Sequence, residues 1–139
     1  MIPECTESLL AYLRTVPTLN AVTGLTLGAK QADPGLTKIA TPYAWPLYLK
    51  DENTDSNKEG RVAGQPTVLL TFVVQLGIGN TTEGDMTSSQ FPILDAARKA
   101  IHAQPGPIGA TLWRYDKTMP PVANPDRYIY TQFYTIIAS

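Results

Sequence analysis

One segment, PTVLLTFVVQLGIGN at positions 66–80, constrains the fold more than any other part of this chain. Every second position in it is apolar: Val68, Leu70, Phe72, Val74, Leu76 and Ile78. The residues between them are mixed in character, and they include Thr71, Val73 and Gln75. Alternation with a period of two is typical of a β-strand with one buried face. We therefore predict a central strand whose apolar face lies in the core, while Thr71, Val73 and Gln75 face a helix or another subunit.

The segment is too short and too interrupted to cross a membrane. A membrane-spanning helix takes about 20 consecutive apolar residues, whereas this run contains Thr71, Gln75 and two glycines. The N-terminus carries Glu4 and Glu7 and has no basic region ahead of an apolar block, which is unlike a secretory signal. We expect no membrane association and a chain that folds in the cytoplasm.

Length and charge narrow the class of protein. A chain of 139 residues fits one domain, 1–139, with a core that needs no disulfide or metal. Cys5 is the sole cysteine, so no internal disulfide can form. Eleven basic and twelve acidic side chains give a net charge of −1, which argues against a protein that holds nucleic acid through its phosphates. Twelve prolines and ten glycines favour strands joined by turns.

Apolar periodicity predicts two helices, at 3–14 and 89–103, with Ser88 or Ser89 capping the second. It predicts strands at 21–27, 43–50, 67–79, 110–115 and 127–137, and loops at 51–64 and 116–126. The central strand is longer than the usual five or six residues. We expect it to overhang the core or to bend at a bulge at Gly77 or Gly79. The expected core residues are Trp45, Phe72, Leu94, Ile101 and Tyr134.

No catalytic, cofactor or metal site is predicted. His102 lies in the last turn of the second predicted helix, where an imidazole bonds to free carbonyls or faces solvent. One cysteine and one histidine are too few strong ligands for zinc. Asp51, Asn53 and Asp55 have the spacing of the first three ligands of a calcium loop. That motif fails further on, because Ser56 replaces its glycine and Val62 replaces its glutamate.

Five segments together resemble a known family: ESLLAYLRTVPTL, TPYAWPLYLK, QPTVLLTFVVQLGIG, FPILDAARKAIHAQPGP and DRYIYTQFYTII. Their order and local character are similar to the tail terminator proteins, also called tail-completion or minor tail proteins, of long-tailed bacteriophages. The resemblance implies an α/β fold of the α+β type. In it, a twisted mixed or antiparallel sheet of four to five strands carries two helices packed on it.

The resemblance also implies a function. Members of this family assemble into a hexameric ring that caps the finished tail tube and docks it to the head, with no active site. The implied partners are other copies of the chain, the tail tube protein and a head-completion or connector protein. DNA would pass through the lumen without specific binding. The implied location is the head-proximal end of the virion tail, after assembly in the host cytoplasm.

Candidate interface residues are the charged loop residues and the second face of the central strand. They are Asp51, Glu52, Asp55, Lys58, Glu59, Arg61, Thr71, Val73, Gln75, Lys117 and Asp126. Two alternatives stay open. The chain could be a head-completion, connector or tail tube subunit of the same machine. It could also be a small enzyme or ligand-binding domain, which would need a pocket that combines His102 with a carboxylate.

Overall fold

A computed structural model describes residues 1–22, 41–53, 67–79, 90–124 and 127–138. Two helices and five strands lie in this part of the chain. Helix α1 spans Ile2–Leu13 and α2 spans Phe91–Ile101. The strands are β1 (Asn20–Ala21), β2 (Tyr43–Asn53), β3 (Val68–Gly79), β4 (Arg114–Asn124) and β5 (Arg127–Ala138). The predicted α+β fold class is confirmed.

The five strands form one mixed sheet in the order β1-β2-β3-β5-β4. β1 pairs with β2 in parallel, and the other three pairings are antiparallel. β3 lies at the centre, as its alternating sequence predicts. Its partner β5 pairs with it in unbroken register from Val68↔Ala138 to Gly79↔Arg127. Of these strands, β2 and β4 therefore lie towards opposite edges of the sheet.

Both helices pack on one face of the sheet, which we call the helix face. α1 buries Cys5, Leu9 and Leu13 at intervals of one turn, and α2 buries Ala97 and Ile101. A proline lies in the first turn of each helix, where its missing N–H has no intrahelical partner to lose. The sheet contributes the alternating residues of β3 and β5 to the same core: Leu70, Phe72, Val74, Leu76, Ile78, Tyr130, Tyr134 and Ile136.

No described helix covers the opposite face of the sheet, which we call the helix-free face. Thr71, Val73 and Gln75 of β3 lie on it, between the core residues of the same strand. A second, smaller apolar cluster forms here from Tyr43 and Trp45 with Val22 and Leu47. Trp45 is thus buried as predicted, but in this cluster and not in the main core. Leu94, another predicted core residue, is only half-buried against the main core.

The predicted bend or overhang of the central strand is wrong. β3 has 12 residues, and it is matched by β2 with 11 residues and β5 with 12. Gly77 lies flat in the ladder opposite Tyr43, where an added Cβ would overlap the Tyr43 ring. Glycine is needed here because the aromatic ring crosses directly over the backbone. The register shifts fall in the outer strands instead, between Tyr48 and Lys50 and at two places in β4.

The second correction concerns β4, since most of the predicted loop 116–126 is strand. β4 begins at Arg114 and continues to Asn124. Pro120 and Pro121 indicate a loop rather than a strand, because proline has no N–H to donate to a ladder. They lie inside the register shift between Met119 and Val122, on an edge strand, where no donor is required. At the other edge, β2 likewise runs three residues into the predicted loop 51–64, as far as Asn53.

The third correction concerns the start of α2. Gln90 occupies the cap position, and its side chain makes no capping hydrogen bond there. Ser88 and Ser89 lie outside the described residues, as do 23–27 of the predicted second strand. Gln90 is instead fully buried, and its amide bonds to the sheet.

Candidate functional site

A groove opens between the C-terminal turn of α2 and the start of β4. Its described lining residues are Arg98, Lys99, His102 and Tyr115, and its volume is about 400 Å³. We call it the α2–β4 groove. A smaller hollow of about 190 Å³ continues from it along α2, past Leu94 and Asp95. Three of these four described residues carry side-chain nitrogen donors, so this part of the groove is suited to a negatively charged partner.

Arg98 is held in place from two sides. Its guanidinium bonds to the carboxylate of Asp95 at 2.9 Å, one helical turn earlier. The guanidinium carbon also lies 5.7 Å from the centre of the Tyr115 ring, within the range of a cation–π contact. The i, i+4 spacing of Asp95 and Lys99 would allow an ion pair, but the Asp95 carboxylate pairs with Arg98 instead. Lys99 is exposed, and no acidic side chain within the described ranges forms an ion pair with it.

His102 ends α2 and turns its imidazole back onto β4. Its Nδ1 accepts a hydrogen bond from the backbone N–H of Tyr115 at 3.0 Å. An imidazole nitrogen that accepts carries no proton, so the ring proton of this neutral tautomer is on Nε2. The imidazole therefore satisfies a strand donor with one nitrogen and keeps a donor on the other. Of the two predicted alternatives, bonding to helix carbonyls is wrong, whereas the side chain is exposed, as the other alternative has it.

The backbone around His102 explains this position. Ala103 adopts φ of +66°, the left-handed conformation that commonly ends helices. Its N–H donates to the carbonyl of Trp113, and the Trp113 N–H donates back to Gln104. These two bonds pair the turn after α2 with the chain entering β4. The hydrogen bond from the Tyr115 N–H to His102 follows these two along the chain. A side chain therefore satisfies a backbone donor at the start of β4.

A buried polar network joins α2 to the sheet beneath the groove. The hydroxyl of Tyr134 donates to Oε1 of Gln132 at 2.7 Å, and Nε2 of Gln132 donates to the Leu94 carbonyl at 3.1 Å. The hydroxyl of Tyr130 donates to Oε1 of Gln90 at 2.8 Å. Burial raises the pKa of both tyrosines, so each hydroxyl keeps its proton and remains a donor. These groups fix the position of α2 and are not accessible for chemistry.

Two other hollows are lined mainly by apolar residues. One, of about 650 Å³, lies where Leu69, Thr135 and Ile137 of the helix-free face meet Leu112 and Arg114. The other, of about 330 Å³, lies between the first residues of α1 and the strand ends that carry Asp51, Val68 and Ala138. Neither brings two titratable side chains into contact, so neither resembles a catalytic centre.

The predicted interface residues fall into three places. Asp51 and Glu52 are exposed near the end of β2, and Thr71, Val73 and Gln75 lie on the helix-free face. Lys117 is exposed on β4 at the other edge of the sheet, with its ammonium 5.0 Å from the centre of the Phe133 ring. The structure therefore does not gather these residues into one site. Asp55, Lys58, Glu59, Arg61 and Asp126 lie outside the described residues.

The groove itself was missed by the sequence analysis. A signal was present, because Arg98 and His102 are four residues apart and so share one face of α2. That signal does not identify a groove without Tyr115, which lies on β4. The predicted strand ended at Tyr115, whereas β4 begins at Arg114 and continues to Asn124. Charge spacing on a helix shows which residues are neighbours, but it does not show what lies opposite them.

Within the described ranges, no group of three or more His, Cys, Asp or Glu side chains could hold a metal ion. No helix in the same part of the chain is long and apolar enough to cross a membrane.

In comparisons with known proteins, no protein-family model and no curated protein matches this chain.

Proposed function

We propose that this chain is a structural virion protein, the subunit of a ring that caps the tail tube of a long-tailed phage and presents the head-joining surface. The resemblance of its five segments to the tail terminator family suggests this role. The α+β architecture is the one that the resemblance implies. The ring, its six-fold symmetry and its place in the virion belong to this proposal.

The observation that most supports a structural role is the helix-free face of the sheet, as the described residues show it. All the described helices lie on the helix face, while on the helix-free face Phe133 and Ile137 of β5 are only half-buried. A sheet with an apolar second face gains stability when another surface covers it. A neighbouring subunit or the tube would provide such a surface.

The charge of the chain is compatible with a DNA-conducting ring. Its net charge is −1, and the cations of the groove are few and partly paired. A lumen without a dense basic lining would let DNA pass, because tight binding to the phosphate backbone requires many cationic contacts. The groove also bears on the enzyme alternative. His102 is accompanied there by Arg98 and Lys99 and, among the described lining residues, by no carboxylate.

The test uses the purified chain with the tail tube protein from the same phage genome. Light scattering should find a species of six copies of the 15.1 kDa chain, alone or after tube ends are added. Electron microscopy should show rings at one end of each tube, and tubes formed in excess of this protein should be shorter. A chain that stays monomeric and never associates with tube ends would contradict the proposal.

Other outcomes identify the related roles. If the chain itself polymerises into long tubes, it is the tube subunit. If it binds the portal side of isolated heads but leaves tube length unchanged, it is a head-completion or connector protein. Assays of tube length and head binding therefore separate three parts of the same machine.

A further inference from the structure

We infer that the α2–β4 groove of one copy receives the acidic end of β2 from a second copy of this chain. The acidic end of β2 is Asp51 and Glu52, which are both exposed. This inference rests on the proposed function, because it names the contact that joins neighbouring subunits of the ring.

Charge complementarity is the first argument. The groove offers the Arg98 guanidinium, the Lys99 ammonium and the Nε2–H of His102, and its described lining contains no acid. Arg98 uses part of its donor fork on Asp95, and the remaining N–H groups stay available to a second carboxylate. Because Arg98 is already fixed by Asp95 and by the Tyr115 ring, little side-chain entropy is lost when a partner binds.

The acidic end of β2 has the matching properties. Asp51 and Glu52 are consecutive residues of one strand, so their side chains leave opposite faces of the sheet and one of the two points into the groove of the partner copy. Among the described residues, Glu52 is engaged only by Lys50, in an exposed ion pair with an N–O distance of 3.4 Å. A pair of this kind contributes little, so a better-desolvated partner can replace it. Among the described strands, β1 pairs only with Tyr43 and Ala44 of β2, which leaves the other end of β2 at the sheet edge.

Topology supplies the second argument, since the two surfaces lie at opposite edges of the sheet. The strand order places β2 near one edge and β4 at the other. A contact between two different surfaces is heterologous, and it repeats from copy to copy in one sense of rotation. Such a contact closes into a ring when the rotation allows it. Two copies of the same surface would instead stop at a dimer.

Zero-length cross-linking tests the contact in the unaltered chain. A carbodiimide couples a carboxylate to an amine only where the two are in contact. We expect a product that joins Lys99 to Asp51 or Glu52 and, in a mixture of ¹⁴N- and ¹⁵N-labelled chains, contains one peptide from each label. Assembled rings that give no such mixed product would overturn the inference.

Charge reversal tests it independently. Lys99→Glu, and Asp51→Lys with Glu52→Lys, should each weaken association by about tenfold or more, because each places like charges together. Combining all three changes should recover association to within about threefold of the unaltered chain, since the opposite charges meet again. Association is measured by sedimentation velocity, and raising the salt concentration should weaken it in parallel. Failure of the combined variant to recover would count against the contact.

Control variants reverse single charges elsewhere on the surface. Arg14→Glu and Glu7→Lys alter exposed residues of or beside α1 and should leave association unchanged. Circular dichroism should show that every variant remains folded, because all of these side chains are exposed. If the control variants weaken association equally, net charge and not the groove is responsible, and the inference fails.

The remaining outcomes separate this inference from the proposed function. If rings cap tubes normally with Lys99→Glu, the contact is wrong and the function stands. If the chain is monomeric and never caps tubes, both are wrong. If inorganic phosphate binds the groove of the monomer and reversal of Lys99 does not alter assembly, the groove is a small-anion site and the subunit contact is overturned.

Discussion

Cys5 lies on α1 with its side chain fully buried in the core. Burial raises the pKa of its thiol from 9.0 to about 11, because the thiolate would lose its hydration. The folded chain therefore keeps a proton that the unfolded chain loses between these two values. The stability due to this proton is complete below pH 9 and falls as pH rises from 9 through 11. The loss should reach about 2–3 kcal/mol, at roughly 1.4 kcal/mol per pH unit.

Urea unfolding at a series of pH values measures this loss. Cys5→Ala serves as the comparison, because it removes the thiol while the tyrosines that titrate in the same range remain. The free energy of unfolding should fall more steeply with pH in the unaltered chain than in Cys5→Ala between pH 9 and 11. Below pH 8 the two proteins should show the same pH dependence. In parallel, a disulfide reagent at pH 8 should label Cys5 only after unfolding. Rapid labelling of the folded chain would contradict the burial of this residue.

Tyr134 tests the buried polar network under the groove. Its hydroxyl donates to Gln132, whose side chain is almost fully buried. Tyr134→Phe leaves the amide oxygen of Gln132 without its donor in a place that water does not reach. The free energy of unfolding should fall by about 1–3 kcal/mol. Tyr12→Phe is the matched control, since Tyr12 bonds to the exposed Pro105 carbonyl, which water can satisfy. The prediction fails if the two variants lose equal stability.

At the scale of elements, apolar periodicity predicted those helices and strands whose type depends on their own sequence alone. The apolar stripes of α1 and α2 and the alternation of β3 and β5 fixed their type and nearly their ends. Most of β4 was missed, because Pro120 and Pro121 indicate a loop and the predicted strand 110–115 meets β4 only at Arg114 and Tyr115. Only the pairing with β5 shows that the two prolines lie in a register shift on an edge strand. The groove was missed for a related reason, since it requires the facing residue Tyr115 from that strand.

The start of β4 should depend on His102. His102→Phe removes the acceptor for the Tyr115 N–H while keeping an aromatic ring, so the amide loses its partner at the sheet edge. We expect faster hydrogen exchange at Tyr115 and a loss of about 1 kcal/mol in stability. His102→Asn places an amide oxygen where Nδ1 stood and should restore most of the protection. Unchanged exchange in His102→Phe would show that the imidazole does not hold this edge.

At the scale of the whole molecule, the sheet has apolar clusters on both faces. Phe72 and Trp113 meet edge to face in the main core, with ring centres 5.5 Å apart. Tyr43 and Trp45 form the cluster on the helix-free face. β2 carries residues of both clusters, with Ala44 in the main core and Trp45 opposite it. Shared strands tie the two faces together, so neither cluster can open without disturbing the ladder.

The chain should therefore unfold in one step, and its two tryptophans can report on the two faces separately. Trp113→Phe leaves Trp45 as the probe of the helix-free face, and Trp45→Phe leaves Trp113 as the probe of the main core. Within each variant, the fluorescence midpoint in urea should coincide with the midpoint of far-UV circular dichroism, as expected for a small cooperative domain. An earlier fluorescence transition for Trp45 alone would show that the helix-free face opens first. If the tube protein is the proposed partner that covers this face, its addition should delay that transition selectively, because a surface covered by a partner is stabilised by mass action.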